Sequence, residues 1–323
     1  MEGIDAIFYV HRGFTNILYY TLNQTRKYNP DIEIYLLGDE DNEFVKNMDV
    51  KHFLLSDYME SALHFETYYE NMSSNPADWE CFCFQRWLIL RDFLEKNSNL
   101  KIETFVYLDT DVMIYTNLNE WAKRYLSEYD ITVNAGYGPQ YTFCSSKLLD
   151  EFAEYIISSY SKPEKLNLLR TFYSENFLQQ GKIGGICDMT LLGSFVKNKK
   201  VFDTNCIVDG STFEDTCNID EGYEFDRWRK RKHLYKNGDN FFVREVATGN
   251  MVKLLGMHFQ GMMAKFDMYK YYTGDSNLVP SKHTALIRKV RMKMSVVIWN
   301  SIIRPLGIQG KIKKLIKIKR PVA

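Results

Sequence analysis

Apolar runs alternate with amphipathic stretches along the first third of the chain. Short continuous apolar runs, rich in β-branched and aromatic residues, are typical of buried strands. Four runs of this kind predict strands at Ala6–Val10, Ile32–Asp39, Lys51–Leu55 and Phe105–Tyr115. Apolar positions at helical spacing predict helices over Ile17–Tyr28 and Glu80–Lys96. The alternation of strand and helix predicts an α/β fold, with a mostly parallel central sheet flanked by helices.

The pattern becomes mixed after Tyr115. The predicted strands are one with a Gly/Pro turn over Asp130–Phe143 and a late pair over Phe241–Val246 and Val252–Phe259. The predicted helices cover Ser145–Tyr160, Glu164–Leu178 and a short stretch that begins at Asp188. A change of composition near Gly274–Pro280 separates a body, residues 1–275, from a C-terminal tail, residues 276–323.

The tail differs from the body in charge. The chain has a formal net charge of +0, but the tail carries twelve Lys and Arg and no Asp or Glu, which leaves −12 on the body. Bulky aliphatic residues and Trp299 lie among these basic residues, which favours an amphipathic basic helix that binds an anionic membrane surface. Nucleic acid fits the charge equally well, and packing on the acidic body is a third interpretation. We favour the membrane and expect no nucleic-acid partner.

Cysteine usage and the lengths of apolar runs indicate the cellular setting. The six cysteines are spread along 323 residues without a Cys-x-x-Cys pair, which argues against a zinc site. Met1–Gly13 has neither the basic region nor the apolar length of a signal peptide. No apolar stretch reaches the roughly 20 residues that span a bilayer. We therefore expect reduced thiols and a cytoplasmic protein that associates peripherally with the inner face of the plasma membrane.

The run FVYLDTDVMIY places Asp109 and Asp111 where an apolar strand ends. Ligands of open α/β sheets bind at the carboxyl ends of strands, and paired carboxylates suit Mg²⁺ or Mn²⁺ that neutralises a departing diphosphate. Two other interpretations stay open: the acids cap a surface turn, or they serve a haloacid dehalogenase-type phosphatase. In the phosphatase, Asp109 is the nucleophile and Asp111 the acid/base, but that motif ends the first strand of its domain, whereas about a hundred residues precede it here.

Four stretches in order resemble nucleotide-sugar glycosyltransferases of the GT-A fold. They are AIFYVHRGF, FQRWLILRDFL, FVYLDTDVMIY, and GGICDMTLLGSF followed by GMHFQGMMAKF. The likeness covers roughly Ile4–Lys270, is greatest for bacterial surface-polysaccharide transferases, and is more distant for the glycogenin and lipopolysaccharide galactosyltransferase family. It implies a GT-A, Rossmann-like catalytic domain over residues 1–275, with a nucleotide-binding half in residues 1–115 and an acceptor half in residues 116–275.

The resemblance also implies roles for single residues. The metal ligands are Asp109, Asp111 and His258, and the nucleotide-sugar site adds Tyr9, Arg86 and Lys265 to the two aspartates. Neutral imidazole is a good Mn²⁺ ligand beside carboxylates, although a histidine satisfied in the core is the other interpretation of His258. The galactosyltransferase pattern is H-x-x-G-x-x-K-P-W. Here one extra residue precedes Lys265 and Phe266 replaces the proline, so Lys265 matches less well than His258.

Asp188 follows the glycines of GKIGG and begins a predicted helix, where an N-cap would explain it. The resemblance implies a catalytic role, in which this acid binds sugar hydroxyls or acts as general base toward the acceptor. It predicts a metal-dependent transfer of sugar from a nucleotide-sugar, expected to be a UDP-sugar, to a lipid-linked oligosaccharide acceptor in capsule or O-antigen synthesis, with retention of configuration. A non-catalytic, membrane-associated glycan-binding protein remains the alternative outside enzymes.

Overall fold

A computed structural model of the chain describes residues 1–228 and 230–280. Its strands are β1 Ala6–Val10, β2 Glu33–Gly38, β3 Lys51–Leu54, β4 Thr104–Leu108, β5 Val112–Ile114, β6 Ile131–Val133, β7 Tyr141–Ser145, β8 Val201–Asp203, β9 Ser211–Phe213, β10 Phe225–Asp226, β11 Arg231–Lys232, β12 Tyr235–Asn237, β13 Asn240–Arg244 and β14 Met251–His258. Its α-helices are α1 Ile17–Tyr28, α2 Glu60–Glu66, α3 Ala77–Lys96, α4 Leu118–Tyr125, α5 Ser146–Ser161, α6 Pro163–Tyr173, α7 Asp188–Phe195 and α8 Met262–Lys265.

The larger sheet has seven strands in the order β3-β2-β1-β4-β7-β6-β8. The first four are mutually parallel, β7 is antiparallel to both of its neighbours, and β8 is parallel to β6. The predicted α/β class with a mostly parallel central sheet is therefore confirmed. The parallel half brings the carboxyl ends of β1, β2 and β4 to one edge, where polar residues follow each strand.

Helices cover both faces of this sheet. On one face α3 and α5 pack through buried side chains that include Trp87, Leu88 and Phe152. On the other face α1 and α4 pack through Leu18 and Trp121, among others. Every residue of β1 is buried, because both of its faces are covered. This explains why the strand reads as a continuous apolar run and not as an alternating one.

A second sheet packs beside the end of β4. Its strands follow the order β12-β13-β14-β5, and β9 pairs with β14. Strands β14 and β5 are antiparallel, with His258 opposite Val112 and Gly256 opposite Ile114. The late strand pair predicted from the sequence is confirmed as β13 and β14, which are hydrogen-bonded to each other.

The prediction of one continuous strand over Phe105–Tyr115 is wrong. The segment forms β4 in the first sheet and β5 in the second, and the chain turns between them at Asp109–Asp111. The Val112 amide donates to the Asp109 carbonyl oxygen at 3.1 Å, which closes the turn. The two carboxylates therefore mark the point where the chain passes from one sheet to the other.

Two predictions about the setting of the chain can be compared with the described part. All six cysteines lie in it and are free, as expected for reduced thiols. Among the residues described, no helix has the length and apolar character needed to cross a membrane. The predicted amphipathic helix of the tail falls in residues 281–323, outside the described residues.

Candidate functional site

Asp109, Asp111 and His258 converge at the junction of the two sheets. Their side-chain ligand atoms all lie within 4.8 Å of one another. Among the described residues, these three form a group that could hold a metal ion. Asp111 and His258 are buried, and Asp109 is half-buried. The Phe259 amide donates to the Asp111 carbonyl oxygen at 2.9 Å. The pairing of β14 with β5 therefore continues to this point and sets the distance between His258 and Asp111.

The orientation of His258 leaves one ring nitrogen available to a metal. Nδ1 lies 2.6 Å from the Asp215 carbonyl oxygen, which accepts only, so Nδ1 carries a hydrogen. Nε2 faces Asp111 and lies 3.5 Å from its Oδ1 atom. A metal-ligating histidine commonly donates its other N–H in this way, which fixes its tautomer and orientation. The donor set of two carboxylate oxygens and one imidazole nitrogen thus fits Mn²⁺ or Mg²⁺.

Charge around these residues shifts their proton affinities in opposite directions. Burial works against ionisation of both side chains. Nevertheless the neighbouring Asp111 carboxylate raises the pKa of His258 to about 9. In turn, His258 and Lys265 hold the pKa of the buried Asp111 carboxyl well below its usual range. Without a metal, the cluster is therefore an ion pair of imidazolium and carboxylate.

Basic side chains neutralise the two aspartates. Lys265 Nζ lies 2.9 Å from Asp111 Oδ2, and Arg86 Nη1 lies 2.6 Å from Asp109 Oδ1. Gly261 has φ of +82°, a conformation that glycine adopts at little cost, and this lets the chain turn after β14 into α8 and bring Lys265 back to Asp111. The structure thus brings both predicted basic residues to the predicted carboxylates.

Arg86 joins the aspartate pair to Asp188. Its second amino group, Nη2, binds Asp188 Oδ2, and the Trp87 indole N–H donates to the same oxygen at 3.1 Å. The side chain of Asp188 is 4% exposed. The helix N-cap is Cys187, and the Asp188 carboxylate turns toward α3 while its Oδ1 accepts from the Met189 amide at 3.0 Å. A capping role therefore does not account for Asp188, and the structure places it beside the aspartate pair through Arg86.

Tyr9 lies away from this cluster. It is fully buried in β1, and its hydroxyl pairs with Thr25 Oγ1 of α1 at 2.7 Å. Since both of these groups satisfy each other inside the core, the structure does not bring Tyr9 to the site with the other predicted residues. The side chain that reaches the site from β1 is His11, at the end of the strand.

His11 and Asp39 belong to the site edge but were not singled out from the sequence. His11 Nδ1 lies 3.3 Å from Thr110 Oγ1, and burial together with the nearby Lys265 lowers the pKa of His11 to about 4, so its ring is neutral. Asp39 accepts from the Gly13 amide at 2.5 Å and holds the loop after β1. Both residues directly follow apolar parallel strands, as Asp109 does, and this shared position was the available signal.

A buried ion pair supports His258 from behind. Lys232 is fully buried, and its Nζ lies 2.6 Å from Glu214 Oε1 and also contacts Glu221. Glu214 Oε2 accepts from the His258 amide at 3.4 Å. Burial raises the pKa of Glu214 to about 7, although Lys232 opposes that rise. This pair fixes the chain segment that presents its carbonyl oxygen to His258 Nδ1.

Gln140 ties the same segment to the aspartates. Its side-chain amide donates to Asp215 Oδ1 at 2.7 Å, and its backbone carbonyl oxygen accepts from the Asp109 backbone amide at 3.3 Å. The loop Glu214–Asp215 is thus built into the wall of the site. It acts there through backbone and buried side-chain contacts.

No protein-family model matches the chain, and no curated protein matches it. Solved structures that resemble it include mouse xyloside xylosyltransferase 1, at 9% identity and a TM-score of 0.45 over 70% of this chain and 89% of that one. The galactosyltransferase LgtC, in complex with donor and acceptor sugar analogs, matches at 12% identity and a TM-score of 0.43 over 84% and 97% of the two chains. The bifunctional glycosyltransferase WbbM matches at 10% identity and a TM-score of 0.49 over 90% and 52%. At these values the likenesses by themselves assign neither a family nor an activity.

Proposed function

We propose that this chain is a glycosyltransferase of the GT-A type that moves a sugar from a nucleotide-sugar donor to a glycan acceptor. The observation that carries the proposal is the convergence of Asp109, Asp111 and His258 at the carboxyl edge of the parallel strands, joined through Arg86 to Asp188. This set combines a hard, anionic metal site with a basic residue and a buried acid. Transfer from a nucleoside diphosphate needs those features together, because negative charge develops on the departing diphosphate.

Asp109, Asp111 and His258 are the residues proposed to hold a divalent cation, Mn²⁺ or Mg²⁺. When bound, the cation would neutralise charge on the diphosphate leaving group. Lys265 and Arg86 donate to the two aspartates, so their charged groups lie where they would also meet the oxygens of a bound diphosphate. The ammonium group of Lys265 and the guanidinium group of Arg86 would stabilise the developing negative charge. Neither would accept a proton, because both side chains are charged hydrogen-bond donors without an acceptor atom.

Asp188 is proposed to fix Arg86 and to accept hydrogen bonds from sugar hydroxyls. Its Oδ2 atom already accepts from Arg86 and Trp87. Its Oδ1 atom accepts from the Met189 amide, which leaves one acceptor position on that oxygen for a sugar hydroxyl. We favour the sugar-binding role because the Arg86 guanidinium already compensates the charge of the carboxylate. Asp188→Asn tests this choice, because the amide keeps an oxygen for Arg86 yet cannot take a proton.

The finer assignments are proposals supported by the sequence resemblance and the basic tail. We propose a UDP-sugar as donor, a lipid-linked oligosaccharide as acceptor and a role in bacterial surface-polysaccharide synthesis with retention of configuration. The tail of residues 276–323 would hold the enzyme at the inner face of the plasma membrane. Residues 1–115 and 116–275 would form the nucleotide and acceptor halves of the catalytic domain.

The test of the activity is the slow release of nucleoside diphosphate from a panel of UDP- and GDP-sugars, with Mn²⁺ and with a chelator. We expect one donor to be hydrolysed in Mn²⁺, and Asp111→Asn to abolish the release. Phosphate release from p-nitrophenyl phosphate, with no nucleotide-sugar hydrolysed, would establish the phosphatase instead. Activity that survives the chelator and the Asp111→Asn change would overturn the assigned metal role.

A further inference from the structure

A groove of about 640 Å³ lies between α6 and α7, with α5 as its floor. Its large lining side chains are mostly apolar: Tyr137, Tyr155, Leu168, Leu169, Phe172 and Met189. A groove of similar size at the end of α3 differs in character, because acids and bases such as Glu95, Lys101 and Asp150 line it. Apolar lining in an open groove marks a place where another molecule is bound.

Helix α6 exposes two large apolar side chains on the side that faces the groove. No residue of α6 is buried, although the helix carries several large apolar side chains. Leu168 is 70% exposed and Phe172 is 44% exposed. They are four residues apart and therefore share one face of the helix, which lines the groove. The core contacts of α6 are made by other residues, Leu166, Leu169 and Tyr173, so Leu168 and Phe172 are not needed to hold the helix in place.

The groove adjoins the proposed catalytic centre through α7. Asp188 begins α7 and turns to Arg86, whereas the following residues Met189 and Thr190 line the groove. The groove therefore reaches Cys187 and Met189, the neighbours of Asp188 in the chain, while the Asp188 carboxylate itself faces Arg86. This is the position expected for the part of an acceptor that does not react.

The charged residues that line the groove indicate which kind of molecule it binds. Lys165 and Lys197 line the groove, and its lining contains no acid. Neither lysine forms an ion pair within residues 1–228 and 230–280; Lys165 Nζ donates only to Ser158 Oγ, at 2.8 Å. The basic residues of the tail would be repelled by these lysines, so the chain's own C-terminal segment is a poor occupant. An aliphatic chain that carries a phosphate would pack against the apolar walls and pair its negative charge with the two lysines.

We infer that this groove binds the lipid-phosphate portion of the acceptor. The aliphatic chain lies against Leu168, Phe172 and Met189, and the phosphate meets Lys165 and Lys197. The inference rests on the proposed function for the identity of the acceptor, but the binding itself is independent of the donor site. The two are therefore separable by experiment.

The test titrates the full chain with farnesyl phosphate below its micelle concentration, by calorimetry, and compares farnesol and inorganic phosphate. We expect farnesyl phosphate to bind and inorganic phosphate not to bind. Leu168→Glu should weaken farnesyl phosphate binding at least tenfold, because it places a charge in the apolar wall. The matched control is Leu63→Glu on α2, also at an exposed leucine (55%), and it should bind as the native chain does.

A separate substitution tests the role of the lysines. Lys197→Gln should reduce the preference for farnesyl phosphate over farnesol and leave farnesol binding unchanged. Equal binding by the native chain and Leu168→Glu, or equal losses in Leu168→Glu and Leu63→Glu, would overturn the inference in favour of the basic tail or a nonspecific surface. Dimerisation lost in Leu168→Glu, with no farnesyl phosphate bound, would overturn it in favour of a second copy of the chain.

The increase in thermal stability on addition of UDP and Mn²⁺ is measured on the same variants, as a test of the proposed donor site. This increase should be the same in Leu168→Glu as in the native chain, since Leu168 lies outside the proposed donor site. The same result would show that the variant is folded. If UDP stabilises the protein but farnesyl phosphate binding ignores Leu168, the groove inference fails and the proposed function stands. If farnesyl phosphate binds through Leu168 but no nucleotide responds, the proposed donor site fails and the groove stands.

Discussion

Binding of Mn²⁺ should be coupled to the loss of one proton from His258. The pKa of His258 is raised to about 9 by Asp111, so at neutral pH the ring is protonated and Nε2 offers no lone pair to a metal. Nδ1 cannot substitute, because it donates to the Asp215 carbonyl oxygen. A metal can use His258 only after the Nε2 proton has left, and the cost of removing that proton grows as the pH falls.

The size of the effect follows from the number of protons released. Below the pKa of His258, each pH unit changes the apparent association constant tenfold, or about 1.36 kcal/mol. Between pH 8 and pH 6 the affinity for Mn²⁺ should therefore fall about a hundredfold, or about 2.7 kcal/mol. Asp111 adds nothing in this window, because its pKa is held well below the usual range.

Calorimetry at pH 6, 7 and 8, in two buffers of different ionisation enthalpy, measures both the affinity and the protons released. The native chain should release close to one proton per Mn²⁺. His258→Gln is the control: it should bind Mn²⁺ more weakly but with little dependence on pH. An affinity that is constant from pH 6 to pH 8, or binding without proton release, would refute the assignment of His258 as a metal ligand.

Three further predictions concern buried charges in the metal-free protein. Arg86→Met leaves the Asp188 carboxylate without its cation and should lower the free energy of unfolding by about 3–5 kcal/mol in urea, whereas Arg86→Lys should lose less. Lys232→Met leaves Glu214 buried and unpaired, and we expect a similar loss of about 3–5 kcal/mol, most of which returns when Glu214→Gln is added. The raised pKa of His258 should contribute stability that is complete below about pH 6.5 and lost as the pH rises through about 9, and His258→Gln should lack this slope.

Each of these has an outcome that would contradict it. A loss below 1 kcal/mol for Arg86→Met would show that the Asp188 carboxylate is solvated and not held as described. A double variant at Lys232 and Glu214 no more stable than Lys232→Met alone would locate the loss in packing and not in the unpaired charge. A urea midpoint that rises between pH 6.5 and pH 9 would contradict the imidazolium–carboxylate pair.

The sequence was informative where local pattern decides the structure. The strands β1 and β2 and the helix α3 were predictable because their apolar positions alone identify them. The site carboxylates were predictable because a pair of acids after an apolar strand has no place in a core. His258 and Lys265 came from the family resemblance, and their arrival at Asp111 follows from the pairing of β14 with β5.

Non-local contacts explain what the sequence did not show. The division of Phe105–Tyr115 into β4 and β5 depends on which distant strands pair with each half, and nothing within the segment records that choice. The Lys232–Glu214 pair is another case, since two charged residues 18 positions apart give no periodic signal of burial. Tyr9 was predicted because it lies in the N-terminal motif, whereas the alternation of side chains along β1 turns it toward α1, where its hydroxyl pairs with Thr25.

The most direct test of the account is the effect of UDP on thermal stability, with and without Mn²⁺, in the native chain and in Asp109→Asn/Asp111→Asn. A ligand that binds only the folded state raises the melting temperature. Asp150→Asn, at an exposed position on α5, is the matched control. We predict that UDP stabilises the native chain and the control only when Mn²⁺ is present, and that the double variant does not respond. A folded native chain that ignores every nucleotide tried, or a double variant stabilised as much as the native chain, would contradict the proposed donor site.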